Sequence, residues 1–372
     1  MFLARRELWF ARSRFGLMGG VVALIAVLIV MLCGLSSGLV QDGVSGLKAM
    51  PVDAFAFAAG TKTESAFTRS TVELRQVDSW RARPDVAEAE PFGNTLVNAH
   101  TDHGTPVDLA LFGVRPGSFL APQPADGTAL DAPDGIVVSS TAAGHGIRLG
   151  DTVTVDRLGT TLRVVGITGD QRTFGHVDVA YVPLPRWQEI HAGLAPGERA
   201  EPEIYQQASA IALRGRGGID LGAGDLAADT STMTREASFA ASPGYSAEMS
   251  TMSLIKVFLY AISALVVGAF FMVWTVQRGH ELAVLRAMGI PTGYLLRDAV
   301  AQAAAILVGA TALGVAAAVG GAHFISGMPF ALEPAAVATG AVLLVVMGLL
   351  GAVLTTLGIT RVDPLTALGA HR

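Results

Sequence analysis

Residues 257–277 read VFLYAISALVVGAFFMVWTVQ, a run without one charged side chain. A membrane-spanning helix rises 1.5 Å per residue and needs roughly 20 apolar residues, which this run supplies. Three further charge-free runs share the property: Phe15 to Gln41, Ala299 to Leu332 and Pro334 to Thr360. The run from Ala299 exceeds one span, so its helix is placed near Ala299–Gly321, with Ile325–Pro334 as a short outer loop. Only 15% of the 372 residues are charged and 51% are hydrophobic, whereas soluble domains carry about 25% charged residues. The first run follows Arg5 and Arg6. It exceeds the 7–15 apolar residues of a typical signal-peptide core and lacks a small-residue cleavage pattern, so it reads as a retained helix.

Charge orients the four helices. Between Gln41 and Ser253 stand 16 Lys+Arg against 26 Asp+Glu, net −10, and the remainder is net +5, within a whole-chain charge of −5. Arg5, Arg6, Arg12 and Arg14 flank helix 1, Arg278, Arg286 and Arg297 lie between helices 2 and 3, and Arg361 and Arg372 follow helix 4. Basic residues near membrane ends favour the cytoplasm. Four spans bring all three groups to that side, with both termini cytoplasmic and the acidic segment outside. The expected fold is membrane α-helical, with an extracytoplasmic α+β domain inserted between helices 1 and 2. Its parts are 1–41 (cytoplasmic segment and helix 1), 42–253 (the inserted domain), 254–278 (helix 2), 279–298 (a cytoplasmic coupling segment) and 299–372 (helices 3 and 4 with a tail). Cys33 is the only cysteine, which excludes an intramolecular disulfide.

Within the inserted domain, Ile136-Val137-Val138 reads as a buried strand, and Ser139 to Gly146 as a short serine-capped helix. Thr152–Val155 and Leu162–Ile167 alternate around the turn Leu158-Gly159-Thr160, the pattern of a hairpin. Val179–Pro183 is a further strand, and Ala195 to Pro202 a surface loop. A two-lobed arrangement suits the length.

The chemistry of an enzyme is missing. The sequence has no Gly-x-x-x-x-Gly-Lys-Ser/Thr phosphate loop and no His-Glu-x-x-His zinc motif, and His280-Glu281 lacks the second histidine. Ser139-Ser140 has no partner pattern for a nucleophile. His100-Thr101-Asp102-His103 is the one cluster of metal-ligand types, and it reads as a solvated loop; no metal site and no catalytic residue are expected. Basic patches interleaved with aromatics are absent outside the membrane, which disfavours nucleic acid. Gly34 and Gly38 form a GxxxG in helix 1, either a dimer seam or packing within one subunit. Met1 to Phe15 mixes arginines with Trp9 and phenylalanines and suits the headgroup zone, as an interfacial helix or a plain anchor flank.

The segment Gln277-Arg278-Gly279-His280-Glu281-Leu282-Ala283-Val284-Leu285-Arg286-Ala287-Met288-Gly289 resembles the stretch after the second helix in ABC-transporter permeases of the MacB/FtsX type. Asp134–Ser139, Leu149–Val153, Val164–Ile167 and Tyr181–Leu184 follow that family's order, and Asp363–Leu368 is similar to its common tail. Gly279-His280 replaces part of the usual basic cluster. Size and plan resemble the small exporters, the DevC-type and haem-exporter permeases. The resemblance implies a non-catalytic homodimeric permease in a bacterial plasma membrane, surrounded by lipid. It has no wide pore and is driven by a separate ATPase chain that binds ATP and Mg. ATPase closure would move the cytoplasmic link, and helix 2 would carry the movement outward. A short helix over Glu281–Met288, with Leu282, Leu285 and Met288 on one side and Glu281 and Arg286 for charged contacts, suits docking into an ATPase groove.

The implied substrate is hydrophobic or amphipathic, with haem the first expectation and no intrinsic cofactor. Tyr245, Glu248, Met249, Met252 and Lys256 fall on one helical face at the outer end of helix 2. Met31 and Met50 lie near the outer end of helix 1. Methionine, tyrosine and histidine ligate haem iron, and a lysine suits a propionate. The alternative is that the methionines fill packing gaps and Lys256 snorkels to headgroups. A different function class is a mechanical regulator of an extracellular cell-wall hydrolase, built on the same lever.

Overall fold

The computed structural model describes residues 12–277, 288, 291–325 and 328–360. Residues 1–11 of the expected interfacial segment Met1–Phe15, the coupling residues Glu281, Leu282, Leu285 and Arg286, and the tail Asp363–Leu368 lie outside the described residues. Among those described, four helices are long and apolar enough to cross a membrane. They are helix 1 (Arg12–Lys48), helix 2 (Tyr245–Gln277), helix 3 (Thr292–Ala322) and helix 4 (Pro334–Thr360). The chain divides into a helical unit, Met1–Gly38 with Met249–Arg372, and an inserted unit, Leu39–Glu248.

Helices 1 and 2 reach further than their charge-free runs, which stop at Asp42 and Lys256. A charge marks where hydrocarbon becomes unfavourable, whereas the backbone ladder continues through polar residues until something breaks it. In helix 1 the break comes at Val44, whose φ of −142° and ψ of 15° leave the helical region.

The inserted unit is built on one eleven-stranded sheet. Its principal strands are β1 (Ala54–Ala58), β2 (Val86–Thr101), β3 (Pro106–Val114), β4 (Gly135–Val138), β5 (Thr152–Val155), β6 (Thr161–Ile167), β7 (Val177–Pro183), β8 (Ala210–Gly215) and β9 (Thr230–Thr234). β2 is shared between two halves. Val86–Phe92 pairs antiparallel with β8, and Gly93–His100 pairs antiparallel with β3. β7 lies parallel to β3, β4 antiparallel to β7, and β6 parallel to β4. β5 and β6 form the expected antiparallel hairpin. Ser139 caps the helix Ser140–Gly144 by accepting from the Ala142 amide. Gly93 and Gly113 face each other across β2 and β3. A Cβ on either would strike the Trp187 indole, so the paired glycines open the sheet surface to that ring.

The two halves meet over an aromatic core. Phe55, Phe67, Phe92, Phe112, Phe174 and Tyr181 stack mostly edge to face, with ring centroids 4.9–5.8 Å apart. Edge-to-face contact sets the positive ring edge against the negative face of its neighbour. Val44, Leu47 and Met50, from the end of helix 1, are buried in this core.

In the helical unit, Met18, Val22, Val267, Phe271, Ala303, Leu307 and Ala352 form a buried cluster, and small residues bring backbones together. A Cβ on Gly351 would press on the Ala264 carbonyl, and one on Gly314 on Ala23. Gly34 and Gly38 serve the same end. A Cβ on Gly34 would enter the Phe330 ring, one on Gly38 would strike Pro329, and the Ala331 amide donates to the Gly34 carbonyl at 3.0 Å. The GxxxG therefore seats the chain's own 329–331 segment, the packing within one subunit that the sequence left open beside a dimer seam.

Removing a buried aliphatic side chain costs the lost transfer energy plus a cavity term. Leu47 is fully buried and Leu24 is 60% exposed. Leu47→Ala is expected to destabilise the chain by about 2–5 kcal/mol. Leu24→Ala, which leaves no cavity, is expected to cost much less. Denaturant unfolding of the detergent-solubilised protein, followed by tryptophan fluorescence, checks the contrast.

Candidate functional site

One set of polar contacts in the inserted unit joins both helix ends to a two-residue turn. Phe174 pairs with Val177, leaving Gly175 and His176 as the connection. Their φ angles are +58° and +66°. Positive φ at both central positions is what a type I′ hairpin turn requires. Glycine adopts it freely, whereas a histidine there costs roughly 1–2 kcal/mol. Such strain persists only where the surroundings hold it.

Here they hold it from both helix ends. The kink at Val44 frees carbonyls that an unbroken helix would bond internally. The Gly175 amide donates to the Gly43 carbonyl at 2.9 Å, and Ser242 Oγ donates to the same oxygen at 3.4 Å. Thr173 donates its amide to Ser45 Oγ at 2.9 Å and its hydroxyl to the Gln41 carbonyl at 3.3 Å. The Ser45 and Thr173 hydroxyls lie 2.7 Å apart, buried. Gly46 packs so closely on Val179 and Thr173 that a Cβ would meet them at 2.9 and 3.0 Å.

The His176 ring completes the clamp. Nδ1 lies 2.9 Å from Asp42 Oδ2, near the end of helix 1. Nε2 lies 3.1 and 3.2 Å from the two carboxylate oxygens of Glu248, in the first turn of helix 2. Both carboxylates accept, so only the imidazolium donates at both ends. Partial burial works against the charged ring. The hydrogen bond that His176 donates to Asp42 and the charges of Glu248 and Asp42 outweigh it, and His176 holds its proton above the ordinary histidine range.

The structure distributes the expected ligand-binding residues unevenly. Tyr245, Glu248, Met249, Met252 and Lys256 are all half-buried, while Ser246, Ala247, Ser250, Thr251, Ser253, Leu254 and Ile255 are exposed. The five therefore share the inward face of helix 2. Tyr245 stacks edge-on against Phe239 at 6.3 Å, and Glu248 is engaged by His176. Met31 is half-buried on helix 1. Met50 is 2% exposed inside the aromatic core, which leaves it no surface for a ligand. Met288 is an exposed turn residue. The His100–His103 segment separates: His100 Nδ1 pairs with Asp156 at 2.6 Å, while His103 Nε2 sits 3.5 and 3.4 Å from Asp102 and Asp151. Asp42, Ser45, Thr173 and His176 were not singled out by sequence. The one local signal was Gly175-His176 between two apolar stretches, the mark of a tight turn.

A group whose pKa is raised on folding stabilises the folded state below its unfolded pKa and loses that contribution as pH rises through the folded value. The clamp is therefore expected to be strongest below about pH 6.5, the ordinary histidine value, and to weaken above it. His176→Asn keeps a side chain that tolerates positive φ but cannot bridge two carboxylates. It is expected to flatten the stability-versus-pH profile between pH 6 and 8, measured by thermal unfolding in detergent.

Comparison with known proteins covers most of the chain. The MacB-like periplasmic core domain family matches residues 15–220, and the FtsX-like permease C-terminal family matches residues 253–364. The chain is 23% identical to a Staphylococcus epidermidis protein named as the hemin transport system permease HrtB, over 99% of each chain. It is 25% identical to an uncharacterized ABC transporter permease of Mycobacterium tuberculosis, again over 99% of each. The crystal structure of the periplasmic region of MacB from Actinobacillus actinomycetemcomitans aligns at 10% identity and a TM-score of 0.35, covering 50% of this chain and 90% of that one. With its MacB-like extracytoplasmic domain inserted between the first two of four membrane helices, this chain belongs to the MacB/FtsX-type permeases of ABC transporters.

Proposed function

We propose that this permease is the mechanical subunit of an ATP-driven exporter that expels an amphipathic substrate, haem first among candidates, from the outer leaflet. The observation that carries the reading is that the ends of helix 1 and helix 2 are gripped by one hairpin of the inserted domain, through Asp42, His176 and Glu248. Movement of either helix then loads the domain directly, and no path for substrate through the helices is needed. ATP and Mg belong to a separate ATPase chain that docks on the segment containing Glu281, Leu282, Leu285, Arg286 and Met288. The working form is a homodimer in a bacterial plasma membrane, with both termini cytoplasmic.

Two lines support haem. Relatives that align along their whole length are named for hemin transport. Helix 2 also places thioethers, a phenol, a carboxylate and an ammonium on one half-buried face, groups that match haem iron and its propionates. Nothing specific in the geometry favours the hydrolase-regulator reading over export.

Haem titrated into the full chain in lipid nanodiscs is expected to give a saturable absorption change, weakened in Met249→Ala and in Met252→Ala. Unchanged spectra and affinity in both remove the helix 2 face from the substrate path. Glu281→Lys is expected to lower ATPase-coupled export while leaving thermal unfolding of the purified permease unaltered. Full export by that variant contradicts the docking assignment. In a Cys33→Ala background, a cysteine at Gly197 is expected to react with an impermeant maleimide in intact cells and one at Arg372 is not; the reverse pattern inverts the topology.

A further inference from the structure

The tip of the β2–β3 hairpin carries side chains that the transmission of movement does not use. Asp102 and His103 stand in its turn. β2 pairs with β5 through Ala99–Thr101, which brings Asp151, the residue before β5, beside them. The Asp102 amide donates to the Thr152 carbonyl at 2.9 Å and fixes the two segments together. Among the described residues, Asp102, His103 and Asp151 are the group whose ligand atoms, one from each, all lie within 4.8 Å of one another. Sequence spacing had pointed to His100 with His103. His100 is instead taken up by Asp156, and Asp151 stands in its place.

The distances inside this group set it apart. His103 Nε2 lies 3.5 Å from Asp102 Oδ1 and 3.4 Å from Asp151 Oδ1. His100, His145 and His176 each bring a ring nitrogen to an aspartate oxygen at 2.6–2.9 Å, the length of a charge-assisted hydrogen bond. His103 stands off from two carboxylates at once, at a separation too long for a hydrogen bond. Two ligands of one tetrahedral zinc ion have that separation: bonds of about 2.1 Å at the tetrahedral angle place the ligand atoms about 3.4 Å apart. Asp151 adds an independent sign. The residue is 7% exposed, its Oδ2 accepts from the Arg148 amide at 2.8 Å, and its Oδ1 has no hydrogen-bond donor. This buried carboxylate is held by one oxygen and aims the other at the gap before His103. Among the described residues, no lysine or arginine pairs with Asp102 or Asp151.

We propose that Asp102, His103 and Asp151 bind a divalent cation of the zinc class, through His103 Nε2 and one oxygen of each aspartate, with a fourth position left to water. Two carboxylates balance the charge of the ion. The imidazole selects against calcium and magnesium, which take oxygen ligands. The Arg148 amide orients Asp151 as outer-shell hydrogen bonds orient metal-bound carboxylates. The His103 and Asp102 side chains are 60% and 46% exposed, so the fourth position faces solvent. The bound ion ties the hairpin tip to the start of β5.

The test is calorimetric titration of the full chain in nanodiscs with zinc chloride, and with cobalt chloride followed by visible absorption. Zinc is expected to bind saturably, and cobalt to give the strong visible band of a tetrahedral ion. His103→Ala and Asp102→Asn alter exposed residues that leave the core intact. Each is expected to weaken zinc binding by at least about tenfold, the smallest cost of losing even an outer-shell partner. His100→Ala, adjacent in sequence but outside the ligand set, is expected to leave the affinity unchanged, and magnesium is expected not to displace zinc. The proposal is overturned if zinc does not bind, if its affinity is unchanged in both ligand variants, or if His100→Ala weakens it as much as they do. Displacement by equimolar magnesium, or the weak spectrum of six-coordinate cobalt, overturns it as well.

Discussion

Burial of the end of helix 1 in the aromatic core of the inserted domain is the constraint on which the other features depend. Val44 and Leu47 are fully buried there beside Phe112, Phe174 and Tyr181. A straight helix continuing past Gly43 would keep its carbonyls for itself. The kink at Val44 turns the last residues into the core and exposes Gly43 and Gln41 oxygens that must find donors, since an unpaired buried carbonyl is costly. The hairpin at Gly175-His176 supplies one, and Thr173 and Ser242 supply the others. The positive φ of His176 follows from the same arrangement, because only a two-residue turn brings the Gly175 amide and the imidazole to the helix end together.

Much of the fold was legible because it obeys local rules. The strands over residues 135–183 alternate or run fully apolar, and Ser139 caps its helix as its position before Thr141-Ala142 indicated. β2 was not legible. It contains Pro91, Gly93 and Asn94, residues that ordinarily punctuate strands. Pairing on both flanks and the need to admit Trp187 override that local preference. The site was hidden for a different reason. Asp42, His176 and Glu248 are separated by 134 and 72 residues, and no spacing rule connects them. The one-face series on helix 2 was readable because helical periodicity acts within a single element. What periodicity could not give was which face turns inward.

Glycine shows how one residue type carries several meanings. Gly34 and Gly38 have the spacing associated with helix dimers, yet they make room for Pro329 and Phe330 of the same chain. Gly93 and Gly113 are far apart in sequence and serve one purpose, admission of an indole. In each case the absent Cβ is defined by what fills its place, which sequence spacing does not state.

The half-buried face of helix 2 is also the face that carries its ionisable side chains. In hydrocarbon, ionisable side chains face the interior of a bundle or a wet cavity, because an unpaired charge toward lipid is expensive. Helix 2 obeys this. Lys256 and Glu248 sit on the half-buried face, whereas Leu254, Ile255, Val257, Phe258, Ile262 and Leu265 are exposed. Glu248, on that same face, is held by His176. The carboxylate at the start of helix 2 thus has a charged partner within the inserted domain instead of standing unpaired.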